Sequence, residues 1–269
     1  MSNTFEIKRF WNYLKFDLTT ARNDSGVTFA ILGAMPAFWY FIAQAFALLF
    51  NGHTVEFGDV AKIMAFGTAI VIGIIFFPAR HYGPVTDKKQ GSDWLMLPAS
   101  RLEKWLSMLI VTCVAVPAFL CAELAATDGL MSLLFNGTYG STALKAISGG
   151  MNMFWGELST DAGRIAICWP YAFYLSWCEN ILFFTLGAIW FKKNKIGMTF
   201  ITAFLLGMVV SMLSIVVFKT LGIPTSFEAS DMSEEGVLRI INVTLYAVYI
   251  LYFAVLDVLL YLRVKTIKH

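Results

Sequence analysis

The chain alternates long apolar runs with short polar segments, and the length of these runs predicts helices that cross a membrane. A bilayer core about 30 Å thick needs roughly 20 residues of α-helix. Six segments have about this length and an apolar composition: residues 27–50, 60–78, 105–124, 165–191, 196–218 and 240–262. The alternation typical of transmembrane β-strands is not seen. The pattern therefore predicts an all-α integral membrane protein in which residues 1–269 form a single transmembrane domain.

The segment before the first apolar run, residues 1–26, is polar and aromatic and does not resemble a cleavable signal peptide. Within it, Phe5–Leu18 has apolar residues at three- and four-residue spacing: Ile7, Phe10, Trp11, Leu14 and Leu18. Charged and polar residues occupy the positions between them. This pattern predicts an amphipathic helix in the membrane interface, with its cations facing anionic headgroups. An ordinary surface helix packed on the protein is the alternative.

Lysine and arginine are distributed unequally on the two sides of the predicted spans. Fifteen of the 20 fall in the N-terminal segment, the second and fourth loops and the C-terminus, which all lie on one side. Cytoplasmic segments carry the excess of these residues. Both termini and the second loop, residues 79–104, are therefore expected in the cytoplasm, and a bacterial cytoplasmic (inner) membrane is the expected location.

Composition and charge exclude several other classes of protein. The chain is 58% hydrophobic and only 14% charged, whereas soluble domains carry about 25% charged residues. Its aromatic content of 16% is unlike that of disordered chains. A net charge of +2 speaks against nucleic-acid binding. His53, His81 and His269 lie in three separate polar segments, so no metal site is expected.

The loop Ala79–Lys104 carries the most informative motif of the sequence. Its apolar run, Trp94–Leu97, is ended by Pro98. Ser100 and Glu103 have the spacing of a capping box, which predicts that the third helix begins at Ser100, before it enters the membrane. An apolar cluster beside a rigid helix start favours docking of a partner protein. Folding of the cluster onto the bilayer surface is an equal alternative.

The segment GSDWLMLPASRLEKWLS resembles the region between the second and third helices of ABC-2 type permeases, the membrane-spanning subunits of ATP-binding cassette exporters. In that family, Leu-Pro-x-Ser-Arg followed by an acidic residue and a lysine precedes the third span. The matching positions are Leu97, Pro98, Ser100, Arg101, Glu103 and Lys104. An N-terminal amphipathic helix, six spans and cytoplasmic termini also resemble the family.

The resemblance implies that the loop is a coupling helix that docks an ATPase. The residues assigned to this contact region are Asp93, Trp94, Leu95, Met96, Leu97, Pro98, Ser100, Arg101 and Glu103. The ATPase is expected to be a separate chain that binds ATP and Mg²⁺, because no G-x-x-x-x-G-K-[ST] loop occurs here. This chain is therefore expected to need no cofactor and to be no enzyme. A second permease chain, identical or paralogous, would complete the export path among the membrane lipids.

Polar residues in the predicted spans are further functional candidates, because such groups are costly in a membrane. They are Lys62, Glu123, Glu179, Asn180 and Asp257. For Glu179 beside Asn180, a place on the translocation path and an interhelical hydrogen bond are equal alternatives. Lys62 and Glu123 fall near the outer ends of neighbouring helices, which predicts a structural ion pair. Asp257 is expected to be structural.

Two other classes of membrane protein are alternatives. One is an accessory or sensor protein whose cytoplasmic loop binds a different partner. The other is an enzyme that modifies lipids, which would need polar catalytic residues gathered at one membrane face. No pair of carboxylates and no Ser–His–Asp set has a spacing that nominates such a centre. The permease is therefore the favoured interpretation, with its cargo left open.

Overall fold

The structure is a computed structural model that describes residues 5–87, 90–145, 169–220 and 234–267, with side chains in all of these except 90, 169–173, 213–220 and 234–245. The described residues form helices and turns, without a strand among them. The helices are α1 Ile7–Gly33, α2 Met35–Asn51, α3 Asp59–His81, α4 Gln90–Met96, α5 Arg101–Ile110, α6 Val116–Leu134, α7 Trp169–Trp190, α8 Lys195–Thr220 and α9 Glu234–Thr266. A 3₁₀ turn, Gly83–Thr86, precedes α4, and a π-helical turn, Val111–Ala115, joins α5 to α6.

The apolar helices confirm the prediction of a multi-pass membrane protein. Five segments are long and apolar enough to cross a bilayer: Ile7–Asn51, Asp59–Thr86, Arg101–Leu134, Lys195–Met212 and Tyr246–Thr266. Helix α7 coincides with the remaining predicted span, residues 165–191, of which 165–168 lie outside the described residues.

The amphipathic N-terminal segment is continuous with the first apolar run. The prediction of a helix over Phe5–Leu18 is confirmed in its type, but its separation from a span that begins at Val27 is wrong, because α1 continues without interruption to Gly33. No proline lies between these segments to end the helix. The break falls instead at Ala34, two residues before Pro36. Pro36 lies in the first turn of α2, where its missing N–H group costs no helical hydrogen bond.

Helix α1 packs along α3 and along the continuous α5–α6 rod. The ring of Phe29 lies 5.6 Å from that of Phe77 on α3 and 5.7 Å from that of Phe119 on α6. Helices α3 and α6 also approach closely at Gly73 of α3, where an added Cβ atom would lie 3.3 Å from the Leu120 side chain of α6. These contacts place the three elements side by side, with α1 parallel to α5–α6.

Helices α7 and α8 differ in their surroundings. Helix α7 packs against α3, α8 and α9, and Ile181, Leu182 and Ile189 on it are fully buried. By contrast, Thr199 is the one buried residue of Lys195–Met212 on α8. Exposed apolar side chains of this kind suit a helix that faces lipid.

Candidate docking site at the loop end of the bundle

The loop Ala79–Lys104 lies at one end of the helices, here called the loop end. Within this loop, α4 is hydrogen-bonded to the start of α5. The Lys104 ammonium group donates to the carbonyl oxygens of Trp94 at 2.6 Å and Leu95 at 3.5 Å. It also lies 4.4 Å from the centre of the Trp94 ring, a distance typical of a cation–π contact. Since a buried residue of α5 holds the end of α4, the short helix is fixed relative to the bundle.

The apolar side chains of α4 point in two directions, some toward the hydrophobic core and one toward the outside. Trp94 and Leu95 are half-buried and pack against the main hydrophobic core. Met96 is 74% exposed, and Asp93 and Pro98 are exposed beside it. The outward face of the loop is therefore formed by Met96 with its exposed neighbours, while Trp94 and Leu95 hold α4 in place.

The predicted capping box at the start of α5 is confirmed, and it includes a residue of α1. The Ser100 hydroxyl accepts from the Glu103 amide at 3.3 Å, and the Glu103 carboxylate accepts from the Ser100 amide at 2.7 Å. The same carboxylate, fully buried, accepts from the Arg9 guanidinium at 2.7 and 2.8 Å and from the Glu6 amide at 2.9 Å. Ser100 and Glu103 thus join two helix starts, whereas Arg101 is exposed.

A buried polar cluster beneath the loop joins α1 to α3 and α5. The Asp17 carboxylate, 5% exposed, lies 3.0 Å from His81 Nε2 and accepts from the hydroxyls of Tyr82 at 3.3 Å and Ser107 at 2.6 Å. His81 Nδ1 lies 3.2 Å from the Asp24 carboxylate. The His81 ring thus lies between two carboxylates of α1, and its contact with Asp17 links α1 to the end of α3.

This cluster was not predicted as a site. One available signal is the position of Asp17 three residues after Leu14 and four before Ala21, which places a carboxylate on the packed face of α1. A buried carboxylate needs a partner, but sequence spacing alone does not identify it as His81, 64 positions away.

Two further contacts hold α8 and α9 at the loop end. The Lys195 ammonium group donates to the Asp87 carboxylate at 3.0 Å and to the Gly83 carbonyl oxygen, so the start of α8 is attached to the 3₁₀ turn. The Trp105 indole donates to the Asp257 carboxylate at 3.1 Å, which joins α5 to α9. The predicted site residue Asp257 thus lies in a contact between helices.

A groove of about 510 Å³ separates the start of α1 from the loop. It is lined by Glu6, Lys8, Arg9, Asn12, Tyr13, Phe16, Leu97 and Pro98. The groove therefore extends the outward face of the loop onto α1 and supplies polar groups beside the apolar ones. No protein family, curated protein or solved structure matches this chain.

The predicted ion pair between Lys62 and Glu123 does not form in the structure. The Lys62 ammonium group donates instead to Asp59, one turn earlier on α3, at 3.0 Å, and lies 5.3 Å from the centre of the Tyr139 ring. Glu123 faces α1 instead: a Cβ atom added at Gly33 of α1 would lie 2.9 Å from the Cβ atom of Glu123. The nearer carboxylate on the same helix has therefore replaced the predicted partner.

Glu179 and Asn180 do not form one site, although they are adjacent. Glu179 is 6% exposed, and its Oε1 atom has no hydrogen-bond partner among the described residues. Asn180 is exposed and donates to the Ser176 carbonyl oxygen at 2.7 Å, within its own helix. Of the two, Glu179 is the buried polar group that has a hydrogen-bonding position open.

Proposed function

We propose that this chain is the permease subunit of an ABC-2 type exporter, with six transmembrane helices and both termini in the cytoplasm. In this proposal, α4 is the coupling helix that docks a separate ATPase subunit. The resemblance of Leu97–Lys104 to the family motif supports the proposal, as does the multi-pass helical architecture. The observation that carries it is the rigid attachment of α4 to α5 through Lys104, with Met96 exposed on the outer side.

The contacts at the loop end provide a route by which a displaced α4 moves the membrane helices. Lys104 joins α4 to α5, Glu103 joins α5 to Arg9 of α1, and Asp17 joins α1 to His81 at the end of α3. When ATP closes the ATPase pair, a push on α4 is therefore transmitted to α1, α3 and α5 together. A second permease chain completes the export path between the two sets of helices.

The docking face is tested by Met96→Asp, with Met96→Leu as the matched control. Because the Met96 side chain is 74% exposed, the charged variant should fold and insert normally but lose the co-purifying ATPase. Quantitative mass spectrometry of the purified protein measures this loss. The control should retain the ATPase. Wild-type amounts of ATPase with Met96→Asp would show that α4 is not the contact.

The export path is tested by Glu179→Gln, which keeps the shape of the side chain and replaces its ionisable carboxyl group with an amide. A residue on the path should alter efflux or the cargo stimulation of the ATPase by about tenfold, the effect of about 1.4 kcal/mol. An accessory protein predicts little change. Asn180→Gln provides the control, because Asn180 is exposed and bonded within its own helix and the change keeps an uncharged amide.

A further inference from the structure

The outward face of α1 carries a stripe of cations and apolar side chains toward its loop end. Trp11, Lys15, Leu18 and Arg22 recur at three- and four-residue spacing, so they lie on one side of the helix. Trp11 is 54% exposed and Leu18 is 38% exposed. The Lys15 ammonium group lies 5.8 Å from the centre of the Trp11 ring. Neither Lys15 nor Arg22 forms an ion pair with a described residue.

The same face of α1 continues into an apolar groove of about 220 Å³ between α1, α3 and the π-helical turn with α6. Its walls include Gly26, Phe29, Phe77, Val111 and Phe119, and its one charged lining residue is Arg22. Arg22 precedes Gly26 by one helical turn, which places the cation toward the loop end of the groove. The site is thus apolar along its length and positively charged at one end.

Two local features keep the groove open. Gly26 has no side chain, and a Cβ atom added there would meet no atom within 4 Å. Val111 and Ala115 are the first and last residues of the π-helical turn and both line the groove. Single π-helical turns within α-helices are frequent at functional sites. The groove is therefore formed by the backbone of α1 at Gly26 and by the π-helical turn between α5 and α6.

We propose that this groove binds one acyl chain of an anionic phospholipid, whose headgroup is held by Arg22 and Lys15. The apolar walls suit a hydrocarbon chain, and two cations without an ion-pair partner among the described residues complement a net negative charge at the headgroup. A second copy of this chain seated in the groove would have to cover these cations, which is costly without a paired carboxylate. The proposal does not depend on the exporter assignment.

The test measures binding of phosphatidylglycerol and phosphatidylcholine with identical acyl chains to the delipidated full-length protein in detergent, by native mass spectrometry. The wild type should bind one phosphatidylglycerol with higher affinity than phosphatidylcholine. Each cation near an anionic lipid contributes about 1 kcal/mol to binding. Replacing both Lys15 and Arg22 by Gln should therefore weaken phosphatidylglycerol binding about thirtyfold. Phosphatidylcholine binding should not change. The same replacement at Lys192 and Lys193, exposed outside the groove, is the control.

A second variant tests the groove itself. Gly26→Leu should fill it and weaken binding of both lipids at least tenfold, a loss of about 1.4 kcal/mol. Gly67→Leu on α3 is the matched control, because an added Cβ atom there also meets no atom within 4 Å and Gly67 does not line the groove. The surface charge variants leave the packing unchanged, so they test the proposal even if Gly26→Leu fails to fold.

Three results would overturn the proposal. Equal wild-type affinity for the two lipids would remove the role of the cations. Unchanged lipid binding by folded Gly26→Leu would show that the groove is not the site. Loss of a dimer in Gly26→Leu, with lipid binding intact, would assign the groove to a second copy of the chain.

Discussion

The two ends of the bundle both bury a carboxylate, but they give it different partners. At the loop end, Asp17 pairs with His81 and thereby joins two helices that are distant in sequence. At the opposite end, Asp128 of α6 accepts from the Tyr139 hydroxyl at 2.6 Å and from the Ala143 amide at 2.7 Å. These partners are neutral and come from the segment directly after α6. The buried carboxylate at the loop end thus links helices that are distant in sequence, whereas Asp128 bonds to the segment that follows its own helix.

The opposite end also contains a buried aromatic cluster. Tyr40, Phe57, Met131 and Tyr139 are buried together there, and the rings of Phe57 and Tyr139 stack at 5.5 Å. If α4 docks an ATPase as proposed, movement of that partner would reach α1, α3 and α5 through the contacts at the loop end.

The largest expected effect comes from Asp17→Ala. The variant leaves His81 and the hydroxyls of Tyr82 and Ser107 without their buried acceptor, three groups in all, and each buried donor without a partner costs about 1–3 kcal/mol. Thermal melting in mild detergent measures the loss. Asp24→Ala is the control, because the Asp24 side chain is 44% exposed and contacts only the other nitrogen of the same ring. Equal losses in the two variants would contradict the role given to Asp17.

A smaller effect is expected from Asp128→Ala at the opposite end. The variant leaves two neutral donors unpaired, and each buried donor without a partner costs about 1–3 kcal/mol. The aromatic cluster remains packed, so the loss should be local. Hydrogen exchange should increase around Tyr139 and Ala143 and not at the loop end. Exchange spread over both ends would show that the two ends are one cooperative unit.

The smallest effect is expected from Tyr139→Phe, about 1.5–3 kcal/mol for one hydrogen bond to a carboxylate. Burial, and then the bond to Asp128, raise the pKa of Tyr139 above its usual value. Because the unfolded-state pKa is about 10, the contribution of the hydroxyl is complete below that pH and is lost as the pH rises toward the folded-state pKa. The melting temperature of the wild type should therefore approach that of Tyr139→Phe above about pH 10. A difference independent of pH would contradict this.

The sequence predicted the features that depend on neighbouring residues. The capping box of Ser100 and Glu103 is such a feature, because both hydrogen bonds lie within one helical turn. The apolar segments are another, since their length alone indicates helices that suit a bilayer. The partner of Asp17 could not be predicted, because it depends on how α1 and α3 pack. The inward direction of Trp94 and the outward direction of Met96 likewise depend on where α4 meets α5.

The most direct test of the central claim, that α4 docks a separate ATPase, is site-specific photo-crosslinking in the native membrane. A photoreactive amino acid at Met96 should capture a chain that carries a G-x-x-x-x-G-K-[ST] phosphate loop. The same group at Met64, which is 66% exposed near the start of α3, serves as the control and should not capture it. Capture of no such ATPase at Met96, or equal capture at both positions, would contradict the account.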